Sequence, residues 1–333
     1  MLEIKDLKVS FKVREGWLNA VSGLDLSISR GQSLGLIGES GCGKTVAMQT
    51  LLRLEPANAR VSGEILLHSE SESVDLLMLK AMGDEMRAIR WGTISMIFQE
   101  PMKAFSPVHT IGSQIMEALI LHRIDDHKEA VSATVDLLRK VGISNPEQRF
   151  EEYPHQLSGG MRQRAMIAMA LCCTPPILIA DEPTTALDVT IQAQVLALIK
   201  SLQEEYGISL IFITHDLGVI AEVSDQVAVM YLGKLVEYCD VDTLFHDPLH
   251  PYTRALLESI PEISRPPLTE LPAIDGSVPV PLNIGDGCGF YDRCKNAQQG
   301  LCDIKTPEMI EHGAGHKVRC FLYGSTEETE VNP

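Results

Sequence analysis

Gly38-Glu39-Ser40-Gly41-Cys42-Gly43-Lys44-Thr45 is the stretch on which the fold turns. The apolar run before it, Ser33-Leu34-Gly35-Leu36-Ile37, reads as a strand, and Val46 to Leu54 after it read as a helix. Strand, glycine-rich loop and helix in that order make a phosphate cradle. The glycines let successive backbone N–H groups turn inward, and the helix presents its positive end to an anion. Lys44 supplies a mobile charge for β- and γ-phosphates, and Thr45 a hydroxyl for Mg²⁺. Gly38 to Thr45 are therefore the expected ATP-binding residues. Cys42 lies at a variable position of the loop and reads as a bystander, although a thiol near a helix N-terminus can be reactive.

Working outward, Ile177-Leu178-Ile179-Ala180 and Ile208-Ser209-Leu210-Ile211-Phe212-Ile213 are further apolar runs. Continuous runs of this kind suit strands covered on both faces, hence an α/β domain. The first ends in Asp181-Glu182. Asp181 is placed to hold Mg²⁺ through its hydration shell, and Glu182 to polarise the water attacking a γ-phosphate, assistance worth roughly 10²–10⁴ in rate. An acidic turn capping the next helix is the competing reading, weakened by the phosphate loop upstream. His215, just past the next strand, is expected to reach the γ-phosphate. Ile191, Val195, Leu198 and Leu202 form one helical apolar stripe that should pack on the sheet.

Between about 100 and 174 the pattern turns mostly helical, as an inserted subdomain would. From Pro261 a Pro-rich linker follows (Pro261, Pro266, Pro267, Pro272, then Pro279 and Pro281), and after the last cysteine a Glu/Thr-rich tail reads as disordered. A net charge of −17 over 333 residues argues against a nucleic-acid partner, which needs a basic footprint. No apolar run reaches the roughly 18 residues of a membrane span, and the start lacks the blocks of a signal peptide. A cytosolic chain is expected, with any membrane association through partners. Eight cysteines in that compartment do not suggest a disulfide framework. Four are scattered; Cys288, Cys294, Cys302 and Cys320 share one terminal stretch.

Leu157-Ser158-Gly159-Gly160-Met161-Arg162-Gln163 resembles the signature of the ATP-binding-cassette family. Gln99 in Ile97-Phe98-Gln99-Glu100-Pro101 matches that family's glutamine loop, which touches metal and the membrane partner. Ala186-Leu187-Asp188 matches the loop crossing the dimer interface, and Thr214-His215-Asp216 the histidine switch. The resemblance covers about the first 260 residues and implies an α/β P-loop NTPase cassette with an inserted helical subdomain. It implies that Leu157, Ser158, Gly159, Gly160 and Gln163 contact ATP held by an opposite subunit, with Asp188 at the interface. Gln99, Glu182 and His215 become the catalytic set, and Thr45, Gln99 and Asp181 the Mg²⁺ set. The family often stacks an aromatic on adenine near the first strand. Phe11 and Trp17 are both present, and the spacing fits neither cleanly.

His250-Pro251-Tyr252-Thr253 with Arg254-Ala255-Leu256-Leu257, and the small cysteine-containing extension over 261–333, are similar to the C-terminal part of dipeptide and oligopeptide importer ATPases. That branch also serves nickel, opines and some oligosaccharides. The resemblance implies two transmembrane permease subunits, a second homologous ATPase (a heterodimer first, a homodimer second), an extracytoplasmic substrate-binding protein, and a place on the cytoplasmic face of the membrane. The spacing C-x₅-C-x₇-C-x₁₇-C leaves three readings: an iron–sulfur cluster, zinc, or plain buried cysteines. Zinc sites usually show tighter pairs, and some relatives carry a four-iron cluster here, so [4Fe–4S] is expected first, in a structural role. A soluble cassette ATPase without transport is the remaining alternative.

Overall fold

A computed structural model describes residues 1–69, 72–185, 187–260, 274–282 and 285–324. The prolines at 261, 266, 267 and 272 and the terminal Glu/Thr-rich stretch from 325 lie outside the described residues, as does Ala186.

Two sheets carry the chain. Strands β1 (Leu2–Val13), β2 (Gly16–Ile28), β4 (Ala59–His68) and β5 (Ser73–Asp75) form an antiparallel sheet in the order β2-β1-β4-β5. Strands β3 (Ser33–Ile37), β6 (Ile94–Ile97), β7 (Ile177–Asp181), β8 (Ser209–Ile213), β9 (Gln226–Tyr231), β10 (Lys234–Asp240), β11 (Ile310–Glu311) and β12 (Lys317–Val318) form the second, ordered β11-β12-β10-β9-β3-β8-β7-β6. Its central members β9, β3, β8, β7 and β6 run parallel. Every residue of β3, β7 and β8 is buried, the consequence of their uninterrupted apolar runs.

The helices are α1 (Lys44–Leu51), α2 (Asp84–Gly92), α3 (Pro101–Ala104), α4 (Ile111–His122), α5 (His127–Lys140), α6 (Pro146–Phe150), α7 (Gly159–Leu171), α8 (Val189–Tyr206), α9 (Leu217–Val223), α10 (Val241–His246) and α11 (Pro251–Glu258). Helix α1 lies between the sheets, where Met48 and Leu51 share a core with Leu7, Val9, Leu36 and Ile213. Helices α7, α8 and α9 cover the other face through Ile167, Val195, Ile199 and Ile220. Each such aliphatic side chain contributes about 1.5–3 kcal/mol on burial.

Some expectations shift. Helix α1 begins at Lys44, two residues early, and ends at Leu51 because Arg53 adopts a left-handed φ of 52°. The stripe on α8 is rotated: Val195, Leu196, Ile199 and Leu202 are buried, while Ile191 and Leu198 are only half-buried. The sheet below is wide enough to take neighbours on both sides of Val195. The terminal segment does not hang free, since β12 pairs antiparallel with β10 and prolongs the main sheet. Fully buried Glu237 fastens it there, accepting from Leu249 N (2.6 Å), His250 N (3.0 Å) and His316 Nε2 (2.8 Å).

Candidate active site

The parallel strands β3, β7 and β8 end side by side, so the loops after them converge. Gly38 and Gly43 shape the first loop because nothing larger fits: a Cβ at Gly38 would lie 2.2 Å from Met230 O, and one at Gly43 2.1 Å from Ala20 O. Both also have positive φ, 148° and 101°. Lys44 is buried, its Nζ donating to Gly38 O (2.6 Å) and Glu39 O (3.1 Å), so the charge lies within the loop's own curl. Cys42 is buried and its thiol is pushed up by that burial, which removes thiolate character and keeps it a packing residue.

Thr45 Oγ1 donates to Asp181 Oδ1 at 3.0 Å. Asp181 is 2% exposed, and burial pushes its carboxyl up to about 6 against the Thr45 hydrogen bond, with the neighbouring charge of Glu182 adding to the rise. A buried carboxylate beside a hydroxyl is an oxygen donor pair suited to Mg²⁺, and a cation would relieve its desolvation.

Glu182 is the meeting point of three motifs. Gln99 Nε2 and Thr185 Oγ1 donate to its Oε2 at 2.8 and 2.9 Å, and His215 Nδ1 lies 3.3 Å from Oε1. Burial raises this carboxyl, but the contacts from Thr185, His215 and Gln99 outweigh it and hold Glu182 below the ordinary range. It is therefore an anion at neutral pH. Its backbone sits at φ 44°, a left-handed conformation costing roughly 1–3 kcal/mol in a non-glycine residue and typical of functional positions. Asp216 supports the histidine loop by capping α9 at Gly218 N (2.9 Å).

The signature lies elsewhere, at the start of α7. Ser158 is the N-cap, its hydroxyl accepting from Met161 N at 3.3 Å, and Ser158 and Gly159 are exposed. Leu157 and Gln163, grouped with them by the motif, are 2% and 3% exposed and point into the core. They support the helix start and do not face a second nucleotide; the exposed contact surface is Ser158-Gly159-Gly160. Asp188 caps α8 through Ile191 N (3.0 Å), with the next residue, Val189, 84% exposed.

The two aromatic candidates separate by face. Phe11 packs against the core between the sheets, the side that holds α1. Trp17 pairs across the strands with Lys12, which alternates to the opposite face. There its ring is covered by Arg60 Cζ at 4.1 Å and Lys12 Nζ at 5.2 Å.

Cys288, Cys294, Cys302 and Cys320 line one cavity with Phe290 and Pro307. Each sulfur accepts a backbone N–H: from Phe290, Asn296 and Leu322 for Cys288, Cys294 and Cys320, and from Gln298 at 3.5 Å for Cys302. Burial pushes Cys288 and Cys294 up, and Cys320 to about 11, with the neighbouring thiols adding to the rise. Among the described residues, only Glu237, Cys239 and His316 bring ligand atoms within 4.8 Å of one another. No three of the four sulfurs are that close, whereas tetrahedral zinc with bonds of about 2.3 Å needs them about 3.8 Å apart.

Two family profiles match the chain: the ABC transporter over residues 21–185 and the oligopeptide/dipeptide transporter C-terminal region over 236–302. The oligopeptide transport ATP-binding protein AppD of Bacillus subtilis is 48% identical over 97% of this chain and 97% of its own. The dipeptide transport ATP-binding protein DppD of the same organism is 45% identical over 99% of this chain and 97% of its own. Among solved structures, the dimeric post-hydrolysis state of the ATP-binding cassette MJ0796 bound to ADP and Pi is similar with a TM-score of 0.64. It is 26% identical and covers 72% of this chain and 99% of that one.

Proposed function

The chain belongs to the ABC transporter ATPases that carry the oligopeptide/dipeptide transporter C-terminal region, and from that membership we propose that it powers uptake of dipeptides or oligopeptides across the cytoplasmic membrane. It binds and hydrolyses ATP. No helix among the described residues is long and apolar enough to cross a membrane. Coupling to transport therefore runs through partners: two permease subunits, a second homologous ATPase and an extracytoplasmic binding protein, with this chain on the cytoplasmic face.

The observation that carries the ATPase reading is the convergence of Gln99 and His215 on Glu182 beside the Thr45–Asp181 pair. Glu182, held as an anion, accepts a proton from the water attacking the γ-phosphate. Gln99 and His215 fix its two oxygens so that one lone pair stays aimed at that water. Mg²⁺, held through Thr45, Asp181 and the Gln99 amide oxygen, would neutralise charge developing on the phosphate oxygens. Phe11, packed on the side of α1, stacks on adenine. Ser158 and Gly159, exposed and joined to the phosphate loop by no hydrogen bond among the described residues, complete the nucleotide site of a facing cassette. That partner is a homologous ATPase first, a second copy of this chain otherwise.

The four thiols fit a metal group: they share a cavity, each accepts an N–H, and burial alone leaves them costly as anions. Their separation favours a [4Fe–4S] cluster over a single zinc ion. Such a group would supply cross-linking of a segment with little core of its own.

The test is reconstitution of the chain with its permease subunits and binding protein in proteoliposomes. Peptide-loaded binding protein should stimulate ATP hydrolysis. Stimulation by nickel, an opine or an oligosaccharide instead would move the substrate assignment, and turnover indifferent to the permease would favour a soluble ATPase. Glu182→Gln should bind ATP normally with hydrolysis down at least about tenfold; near wild-type turnover would remove the assigned base.

A further inference from the structure

Glu39, the second residue of the phosphate loop, is held from the far end of the chain. Arg293 grips its carboxylate with both guanidinium nitrogens, Nη1 to Oε2 at 2.7 Å and Nη2 to Oε1 at 3.0 Å. The Arg293 side chain is 6% exposed and the Glu39 side chain 25%, so the pair is largely shielded from water. The guanidinium is itself fixed, Nη1 donating to Tyr231 Oη (3.2 Å) and Nε to Asp275 O (2.9 Å). The Glu39 backbone N–H donates to Tyr252 Oη at 2.8 Å. Tyr231, Tyr252 and Phe290 pack ring against ring, with centroids 4.7 to 5.4 Å apart, beneath these contacts. A second strut lies alongside, where Pro281 O accepts from Asn19 N at 2.8 Å and Leu282 bridges Leu18 on β2.

Glu39 is also a residue whose carbonyl receives Lys44 Nζ. A loop with three glycines has much conformational freedom to lose when its amides converge on phosphate. A bidentate guanidinium–carboxylate tie gives both energy and geometry, and ordering the loop beforehand lowers the cost of binding. The tie also neutralises a carboxylate that would otherwise repel the triphosphate. We propose that Arg293 is a positioning residue for ATP: from the cysteine-bearing segment it holds Glu39, and through it the phosphate loop, in the nucleotide-binding shape. This rests on the phosphate loop being the ATP site.

The test is a double-mutant cycle on the full chain, read by titration with a fluorescent ATP analogue and by ATPase kinetics. Arg293→Gln should raise the Kd about tenfold, because it loosens the loop and leaves Glu39 uncompensated. The KM should rise by the same factor, with kcat within about twofold of wild type. Glu39→Gln, which loosens the loop but removes the repulsion, should raise the Kd only about threefold, and adding Arg293→Gln to it should change little further. Arg293→Lys keeps the charge without the fork, so it should fall between wild type and Arg293→Gln and serves if the glutamine variant does not fold. An unchanged Kd in the Arg293 variants, or an equal effect of Arg293→Gln in both backgrounds, overturns the proposal. If the wild-type chain itself binds no nucleotide, the ATP-site reading falls and takes this one with it.

Discussion

Replacing Asp181 with asparagine should stabilise the protein while ending its catalysis, and the gain should depend on pH in a direction set by burial. Asp181 is 2% exposed, and its pKa rises from an ordinary 3.8 to about 6. Between those values the folded chain holds a proton that the unfolded chain has released. Stability is therefore lost as pH climbs from about 4 to about 6 and stays lowered above that. A shift of about two units corresponds to about 3 kcal/mol at pH 8 and about 1 kcal/mol at pH 4.5. Asparagine keeps the shape and cannot ionise, so Asp181→Asn should exceed wild type by those amounts. In a chain this long that is roughly 5–10 °C of Tm at pH 8 and much less at pH 4.5. The assay is thermal and urea unfolding of both proteins at the two pH values in a metal chelator, repeated with Mg²⁺ and ATP. Cation and nucleotide should narrow the gap at pH 8 by stabilising wild type alone. A gap equal at both pH values, or an asparagine variant less stable at pH 8, refutes the idea that burial makes this charge costly.

Further outcomes can be checked on the same preparations. Phe11→Ala should raise the ATP Kd at least about threefold through lost stacking, while Trp17→Ala leaves it unchanged, since Arg60 and Lys12 cover that ring; a fluorescent-nucleotide titration separates them. Ser158→Arg should leave ATP binding by the isolated chain intact and reduce turnover of the assembled transporter at least about tenfold, measured as phosphate release. Anaerobic purification should give a visible absorption band and about four irons per chain, both lost in Cys294→Ser; stoichiometric zinc or no metal would end the cluster assignment.

Much of the cassette is legible because its residues act locally. A glycine, a lysine and a threonine at fixed offsets can only make one kind of loop, and the apolar runs of β3, β7 and β8 carry no alternation that would suit a one-sided sheet. Asp181 and Glu182 follow from where such a strand must end. The signature was legible as a motif but not residue by residue: Leu157 and Gln163 share its spacing with Ser158, yet α7 turns them into the core. Alternation along β1 could have separated Phe11 from Trp17 once a hairpin between Val13 and Gly16 was assumed, since the pairing of Lys12 with Trp17 fixes which face each ring takes.

What sequence could not offer was the closure of the chain on itself. His316 meets Glu237 across 79 residues, and Arg293 meets Glu39 across 254. Nothing in the local pattern around Arg293 distinguishes it from a solvated arginine in a loop. Only the sheet order does: with β12 added beyond β10, the cysteine segment returns to the edge of β9, whose Tyr231 lies against the first loop. The terminal segment, read from sequence as an appendage with a metal of its own, thus has one end in the main sheet and one side chain on the phosphate loop. Its loss should be felt first as weaker nucleotide binding, before any loss of the cassette fold.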